Sequence, residues 1–538
     1  MAEYDYIVVG AGSAGCVMAN RLSEDPNTSV LLLEAGGKDE NIWIHIPVGY
    51  IKTMSDPGVN WLFKTEPEEY TYNREIPVPR GKVIGGSSSI NGMLYVRGQA
   101  RDYDDWAQLG NRGWSFEDVL PYFKKSENNT SMGTEYHGIG GPLQVEDLSE
   151  TYPILDAFID AAEEQGYPKN NDYNGASQEG FGYYQVTQKG GRRYSVSRAF
   201  LDPVRGRDNL KVETDAFARK AILEGRKAVG IEYDVHGFPR EARARKEVVL
   251  CAGAIQSPQI LELSGIGQPE FLREYGIEVT HELPGVGENH QDHYISRMAW
   301  KVKQPVTLNE RTRGIPLLVE GMKLLFHGKG ALTMPAGIAH GFVKTRPELE
   351  TPDVQYHCAH ASFSDPHKRI LHDFPGMSLG PCQLRPESRG TVHITSDYYR
   401  DAPRIKPNFL KEELDRETHV AGLKIARTIL DSPALDPYRD IEIIPGPDCK
   451  TDDELLDHAR SVGGTVYHPV GTCKMGNDPM AVVDDRLRVS GIGALRVVDA
   501  SIMPRLVSGN TNAPVIMIAE KAADMMKEDA RTVSITAI

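Results

Sequence analysis

The opening segment, Asp5-Tyr6-Ile7-Val8-Val9-Gly10-Ala11-Gly12-Ser13-Ala14-Gly15, constrains the chain more than any other. A short apolar run stops at small residues, and a helical pattern through Cys16, Val17, Met18 and Leu22 follows. This predicts a strand, a glycine turn and a helix. Gly10 permits the tight turn. Gly12 lets backbone approach a pyrophosphate, and Gly15 lets the helix pack close to the strand. The helix start at Ser13 and Ala14 aims N–H groups and a positive dipole end at phosphate. A second apolar run, Val30–Leu33, ends at Glu34-Ala35. That acid lies 19 residues past Gly15, where a ribose diol needs a carboxylate acceptor. The pattern predicts dinucleotide binding; a glycine turn in another kind of α/β unit is the alternative.

Length and charge set the outer limits. At 538 residues the chain is expected to hold more than one domain and a large core. A net charge of −15 disfavours nucleic acid as a partner. No apolar run is long enough to span a bilayer. The best stretch, Ile315 to Phe326, is broken by Glu320 and Lys323. Peripheral contact at the inner membrane stays open. The first strand begins almost at once, which leaves no room for a signal peptide, so a cytoplasmic location is expected. Cys16, Cys251, Cys358, Cys382, Cys449 and Cys473 are scattered without a CxxC, so neither a disulfide framework nor a zinc site is expected.

No internal repeat or low-complexity linker is visible. Short strands are expected at Leu210–Thr214, Ala228–Tyr233 and Glu247–Cys251, the last running into glycine and a helix. His293–Val302, Ile338–Val343, Asp353–His360 and Gly390–Thr395 read as strands of a mixed or antiparallel sheet. Leu495–Asp499 and then Ala513–Met526 return to strand and helix. The expected fold class is therefore α/β with α+β. A Rossmann-like nucleotide-binding domain would come from residues 1–150, 195–292 and 481–538, and a substrate domain from 151–194 and 293–480.

Two further motifs carry the reading. Gly81-Lys82-Val83-Ile84-Gly85-Gly86-Ser87-Ser88-Ser89-Ile90-Asn91-Gly92 is rich in small residues whose backbone can press against a planar ring or a phosphate. In Gly253–Gly267, Ser257 suits a helix N-cap, Pro258 the first turn and Gly265 the stop. These segments resemble the two signature patterns of the glucose–methanol–choline oxidoreductase family. With the N-terminal fingerprint and the C-terminal strand and helix, the resemblance spans essentially the whole chain. Within the family the chain is most similar to bacterial choline, aliphatic alcohol, polyethylene glycol and L-sorbose dehydrogenases.

The resemblance implies FAD, held beside a substrate domain on an antiparallel sheet. It assigns the cofactor to Gly10, Gly12, Ser13, Ala14, Gly15, Glu34 and Ala35. The small-residue loop would add Arg80, Gly81, Val83, Gly86, Ser87, Asn91 and Gly92. Ala218, Asp499, Ala500 and Asn512 complete the set. Some family members attach flavin covalently through a histidine in the small-residue loop; Ile90 stands there, so non-covalent FAD is expected. Asp499 would lie near the phosphate–ribityl chain, the alternative being an exposed acid at a strand end.

Oxidising an alcohol requires loss of a proton from oxygen and a hydride from carbon. An imidazole can take that proton near neutral pH. Residue type alone leaves His468, in Val466-Tyr467-His468-Pro469, open as a structural histidine. By resemblance His468 is the base, and Asn510, 42 residues later, hydrogen-bonds the substrate oxygen and aligns its C–H with flavin N5. Asn512 as N-cap and Pro514 in the first turn would start a buried helix whose positive end faces the flavin N1–C2=O edge.

The expected function is oxidation of a primary, uncharged alcohol to an aldehyde. Choline oxidation and an oxygen-using oxidase are alternatives. The acceptor could be a quinone, an electron-transfer partner or O2, with Val466 placed to influence oxygen. A hydroxynitrile-lyase-like enzyme, a non-catalytic flavoprotein and an NAD-dependent dehydrogenase are the rival classes. Monomer and dimer are both open. Other features carry little weight: Glu288–His293 as a metal cluster, Cys473 as a nucleophile, Ser87–Ser89 as an elbow. Arg101–Asp105 reads as a solvated helix start.

Overall fold

The computed structural model describes residues 2–365 and 370–536. The first segment forms strand β1 (Ala2–Val9), helix α1 (Ser13–Leu22) and strand β2 (Val30–Leu33). β1 and β2 pair in parallel, Tyr6 opposite Val30 and Val9 opposite Leu33. From Tyr6 to Val9 and from Val30 to Leu33 the side chains are buried on both faces, which explains the unbroken apolar runs. Leu210–Glu213 adds beyond β2, also in parallel. On the other side of β1 lies β3 (Phe238–Leu250). The first half of β3 pairs antiparallel with Lys227–Val235, which pairs with Ala216–Glu224. β3 leads into helix α2 (Gly253–Leu263). The sheet is seven-stranded, so this is the Rossmann-like sheet assembled from separate chain segments.

A second, eight-stranded sheet is antiparallel. Its order is Arg439–Ile444, Met298–Val302, Gly376–Gln383, Val354–Ala359, Ala339–Val343, Gly180–Tyr183, with Tyr294–Ile295 and Gly464–Thr465 joined at one end. Helix Glu413–Leu430 packs over it, Gly422 against Pro381. Helix α3 (Gly314–His327) leaves this layer toward solvent. Strand β4 (Leu495–Val497) then returns to the first sheet beside β3, Val248 opposite Leu495. The last helix, α4 (Asn512–Thr536), packs on α1. Arg21 of α1 donates to the buried Glu520 of α4 at 2.6 Å, so the two ends of the chain lock together.

Several expectations need correction. Thr391–His393 pairs with Arg404–Lys406 in a ribbon of its own and does not join the antiparallel sheet. α2 starts at Gly253, so Ser257 and Pro258 lie inside it, not at its cap. Pro258 cannot donate to the carbonyl of Ala254, and the Thr472 hydroxyl donates to that carbonyl instead, at 2.6 Å. The first bond of α4 runs from Val515 N–H to the Thr511 carbonyl, so Thr511 stands at its cap and Asn512 is already helical. The Arg101–Asp105 start is only partly solvated: Asp102 and Tyr103 are buried. The Asp102 carboxylate accepts from the Gln99 and Ser508 N–H groups.

Candidate active site

The parallel strands β1, β2, β3 and β4 all end at one crevice, where ligands of open α/β sheets bind. A continuous cavity of about 450 Å³ starts there and runs to the antiparallel sheet. Gly10, Gly12, Ser13, Ala14, Glu34 and Ala35 line its first end, with Ala218. Arg80, Gly81, Gly86, Ser87, Asn91 and Gly92 form one wall. Asp499, Ala500, Asn510 and Asn512 form another, beside His468. Gly15 and Val83 stand behind the wall. A Cβ on Gly15 would sit 1.8 Å from the Gly10 carbonyl, so Gly15 allows α1 to close on the turn. Val83 is buried and bridges to Gly37.

The first end suits a dinucleotide. The nearest protein atom to a Cβ built on Gly12 is the Gly86 Cα at 4.0 Å, and a Cβ on Gly253 meets nothing within 4 Å. Both glycines face the cavity, which leaves room for a phosphate chain against backbone. α1, α2 and α4 all begin at this cavity, so three positive dipole ends converge on it. The Ser13 hydroxyl donates to Asn512 Oδ1 at 2.7 Å and ties the starts of α1 and α4 together. Glu34 accepts from the N–H groups of Ala11 and Gly36, both at 2.8 Å. Burial pushes its carboxyl up to about 7, and each oxygen keeps room for a hydroxyl donor. Asp499 is buried rather than exposed at a strand end. It accepts from Gly253 N–H and Ser257 Oγ–H, and from Ser501 N–H and Oγ–H. It braces the start of α2 against the turn after β4.

At the far end His468 and Asn510 meet, Asn510 Nδ2 lying 3.0 Å from His468 Nε2. The other side of the imidazole holds a residue that the sequence did not single out for catalysis. His468 Nδ1 lies 2.9 Å from His293 Nδ1, and His293 Nε2 lies 3.0 Å from the Leu384 carbonyl. A carbonyl only accepts, so His293 carries its proton on Nε2 and presents a lone pair at Nδ1. His468 must then carry its proton on Nδ1, which leaves the Nε2 lone pair facing Asn510 and the cavity. Gln355 Nε2 donates to Asn510 Oδ1 at 3.4 Å and turns the Asn510 amide nitrogen toward that lone pair. Burial holds His293 down to about 4, and burial, with His293, His357 and Arg80 nearby, holds His468 well below the ordinary histidine range. Both imidazoles are neutral at neutral pH.

The backbone of His468 is fixed as well. Its N–H donates to the buried Asp292 at 2.8 Å, Asp292 also accepts from Thr465 Oγ1, and Arg80 donates to the Tyr467 carbonyl at 2.5 Å. Tyr467 holds a left-handed φ of 72°, and these contacts stabilise that turn. The run Glu288–His293 is thus split. Glu288 pairs with His393, whereas Asp292 and His293 serve His468. Among the described residues no group of His, Cys, Asp and Glu is arranged to hold a metal ion. Cys473 is buried, and burial raises its thiol well above the ordinary range.

Family models described as GMC oxidoreductase match residues 4–295 and 386–519. The chain belongs to the GMC oxidoreductase family. It is 44% identical to an alcohol dehydrogenase [acceptor] of Pseudomonas putida over 527 residues, covering 97% of this chain and 95% of that one. It is also 44% identical to an oxygen-dependent choline dehydrogenase of Chromohalobacter salexigens over 531 residues, 98% and 95% of the two chains. The structure of pyridoxine 4-oxidase from Mesorbium loti superposes with a TM-score of 0.89 at 32% identity, covering 98% and 99%. This GMC oxidoreductase is an FAD flavoprotein, and the open glycines and converging helix starts fit that cofactor.

Proposed function

We propose that this GMC oxidoreductase oxidises a primary, uncharged alcohol to an aldehyde, with His468 as base and Asn510 as the group that orients the alcohol. The reading rests on one observation: an imidazole lone pair, fixed in direction by His293 and Leu384, faces a cavity shared by both sheets. FAD, when bound, supplies the hydride acceptor. The alcohol O–H donates to His468 Nε2, and Asn510 Nδ2 donates to the alcohol oxygen. As the C–H bond breaks, His468 takes the hydroxyl proton, and His293 Nδ1 accepts from the imidazolium formed. Gly10, Gly12, Glu34, Gly86, Asp499 and Asn512 are the residues proposed to hold the cofactor or brace its site, without a covalent link at Ile90.

The lining argues against a cation such as choline. Among the described residues the cavity's acids are Glu34 and Asp499, both at the nucleotide end. At the antiparallel sheet the lining includes Arg297, His357 and Ser378 among Leu308, Met334, Ile338, Ala359, Ala361, Phe363 and Leu371, with Tyr467 beside His468. A quaternary ammonium would meet a guanidinium there and no carboxylate. A reducing, cytoplasmic location suits the six unpaired cysteines.

The test is anaerobic addition of an alcohol panel. A primary alkanol is expected to bleach the flavin and choline to leave it yellow. A quinone analogue is expected to restore the colour faster than air. His468→Ala should lower the bleaching rate by roughly 10² to 10⁴ with flavin content unchanged. Flavin that no alcohol bleaches would sink the reading and favour a lyase or a non-catalytic role.

A further inference from the structure

Helix α3 is amphipathic in the reverse of the usual sense. Ile315, Leu318, Met322, Leu325 and Phe326 are each more than half exposed. The acid on the helix, Glu320, is turned inward and is only 3% exposed. It accepts from Arg311 at 2.8 Å, Lys323 at 3.0 Å and the Ala331 N–H at 2.7 Å. The polar face is therefore clamped to the protein by ion pairs, and the apolar face is what the molecule presents. A contiguous exposed apolar surface of this kind marks a docking site.

Its charge says what docks. The whole chain carries −15, yet on this segment Arg311 and Lys323 are paired with Glu150 and Glu320, and Arg313 and Lys329 are the cations left at the two ends of the helix. Arg313, His327 and Lys329 are exposed at the two ends of the helix. Lys189 and Arg192, also exposed, flank Gly191, which packs on Gly328 at the helix end. An apolar face with a cationic rim complements an anionic lipid surface. A second copy fits poorly, because a two-fold interface would set the same basic rim against itself. Among the described residues no helix is long and apolar enough to cross a membrane, so α3 would lie in the interface plane.

We propose that the outer face of α3 docks on an anionic lipid bilayer, with its apolar side chains at the acyl boundary and the basic rim on the headgroups. Thr312, just before α3, and Leu332, just after it, both line the catalytic cavity, as does the exposed Trp43. Docking therefore places this end of the cavity next to the lipid surface. The proposal does not rest on the alcohol reading, and it is tested without substrate.

The experiment is co-sedimentation of the full FAD-loaded chain with phosphatidylcholine vesicles, with and without phosphatidylglycerol, at low and high salt. The protein is expected to pellet with the anionic vesicles, and to bind about tenfold more weakly without phosphatidylglycerol or at high salt. The double variant Leu318→Glu/Phe326→Glu should lose binding while keeping its flavin and melting temperature. Arg313→Glu/Lys329→Glu should weaken binding by about tenfold. Tryptophan emission from Phe326→Trp should be quenched by brominated lipid. Failure to pellet, pelleting indifferent to phosphatidylglycerol, or pelleting retained by the double variant would overturn the proposal. So would a lipid-free dimer that the double variant dissociates.

Discussion

His468 is useful as a base only if the right nitrogen is free, and that choice is made by the Leu384 carbonyl two residues removed along the hydrogen-bond chain. His293 is in this sense a positioning residue. His293→Phe removes the acceptor for His468 Nδ1–H and lets the ring adopt the other tautomer. The expected outcome is a fall in kcat of roughly 10-fold to 100-fold, with KM and flavin content little changed. His293→Gln can accept from His468 through Oε1 and donate to Leu384 through Nε2, so it should recover much of the loss. Selective ¹⁵N-histidine spectra give a readout apart from activity: the Nδ1 and Nε2 shifts of His468 should exchange character in the Phe variant and not in the Gln variant. Equal damage from both variants, with unchanged shifts, would reduce His293 to a packing residue. As candidates, His468 and Asn510 come from motifs that resemble family patterns, and the fold brings their side chains together at the cavity. The partnership with His293 was not legible in the sequence, because the two histidines lie 175 residues apart and only the fold brings them together.

At the scale of elements, what was legible was local. β1, α1 and β2 follow from apolar runs and glycines within one short stretch, and all three appear there, β1 starting at Ala2 rather than at the expected Asp5. The strand Gly376–Gln383 was not read, because Gly380 and Pro381 argue against a strand in the middle of a sheet. Pro381 is tolerated because the neighbouring strand is interrupted there: Met298–Lys301 pairs with Gly376–Leu379, and pairing resumes only at Ile295 opposite Cys382. The start of helix α2 departs from the sequence expectation for a related reason. Pro258 is an expected first-turn residue, yet here it sits in the helix interior because Thr472 satisfies the carbonyl that proline abandons. Thr472 is fully buried, so Thr472→Val should leave that carbonyl unpaired and cost about 1 to 3 kcal/mol in urea unfolding. In Pro258→Ala the backbone N–H can take over the carbonyl, and adding Thr472→Val to that background should cost clearly less. Equal cost in both backgrounds would show that the hydroxyl does not compensate for the proline.

The whole molecule buries many histidines, and this sets its response to pH. Burial holds His290 and His293 down to about 4, and His340, His357, His360 and His419 down to about 3. Each is neutral when folded and gains a proton near pH 6.5 when unfolded. The unfolded chain therefore binds more protons below about pH 6.5, and stability falls as pH drops. Glu34 and Glu68, raised to about 7 by burial, and Asp292, raised to about 6, oppose this, because the folded state holds their protons longer. The histidines outnumber them, so the melting temperature should already decline between about pH 6.5 and pH 4, before ordinary carboxylates titrate. His340 makes no well-aligned hydrogen bond from either ring nitrogen, has only the backbone of Gly180 and Asn170 beside it, and packs between Tyr173, Tyr184 and Phe342. His340→Leu should thus stabilise the protein more at pH 5 than at pH 8. The alkaline limb has a different origin. His393 lies 2.7 Å from Glu262 of α2 and 3.1 Å from Glu288, and the two carboxylates raise it from 6.5 to about 9 despite its burial. Its contribution is complete below about pH 6.5 and is lost as pH rises through about 9, on the order of 2 kcal/mol. Melting curves of His393→Asn should therefore run below wild type at pH 6 and converge with it near pH 9. Curves that stay parallel across that range would show that His393 is neutral in the folded protein and that the clamp between α2 and the Thr391–His393 strand is not ionic.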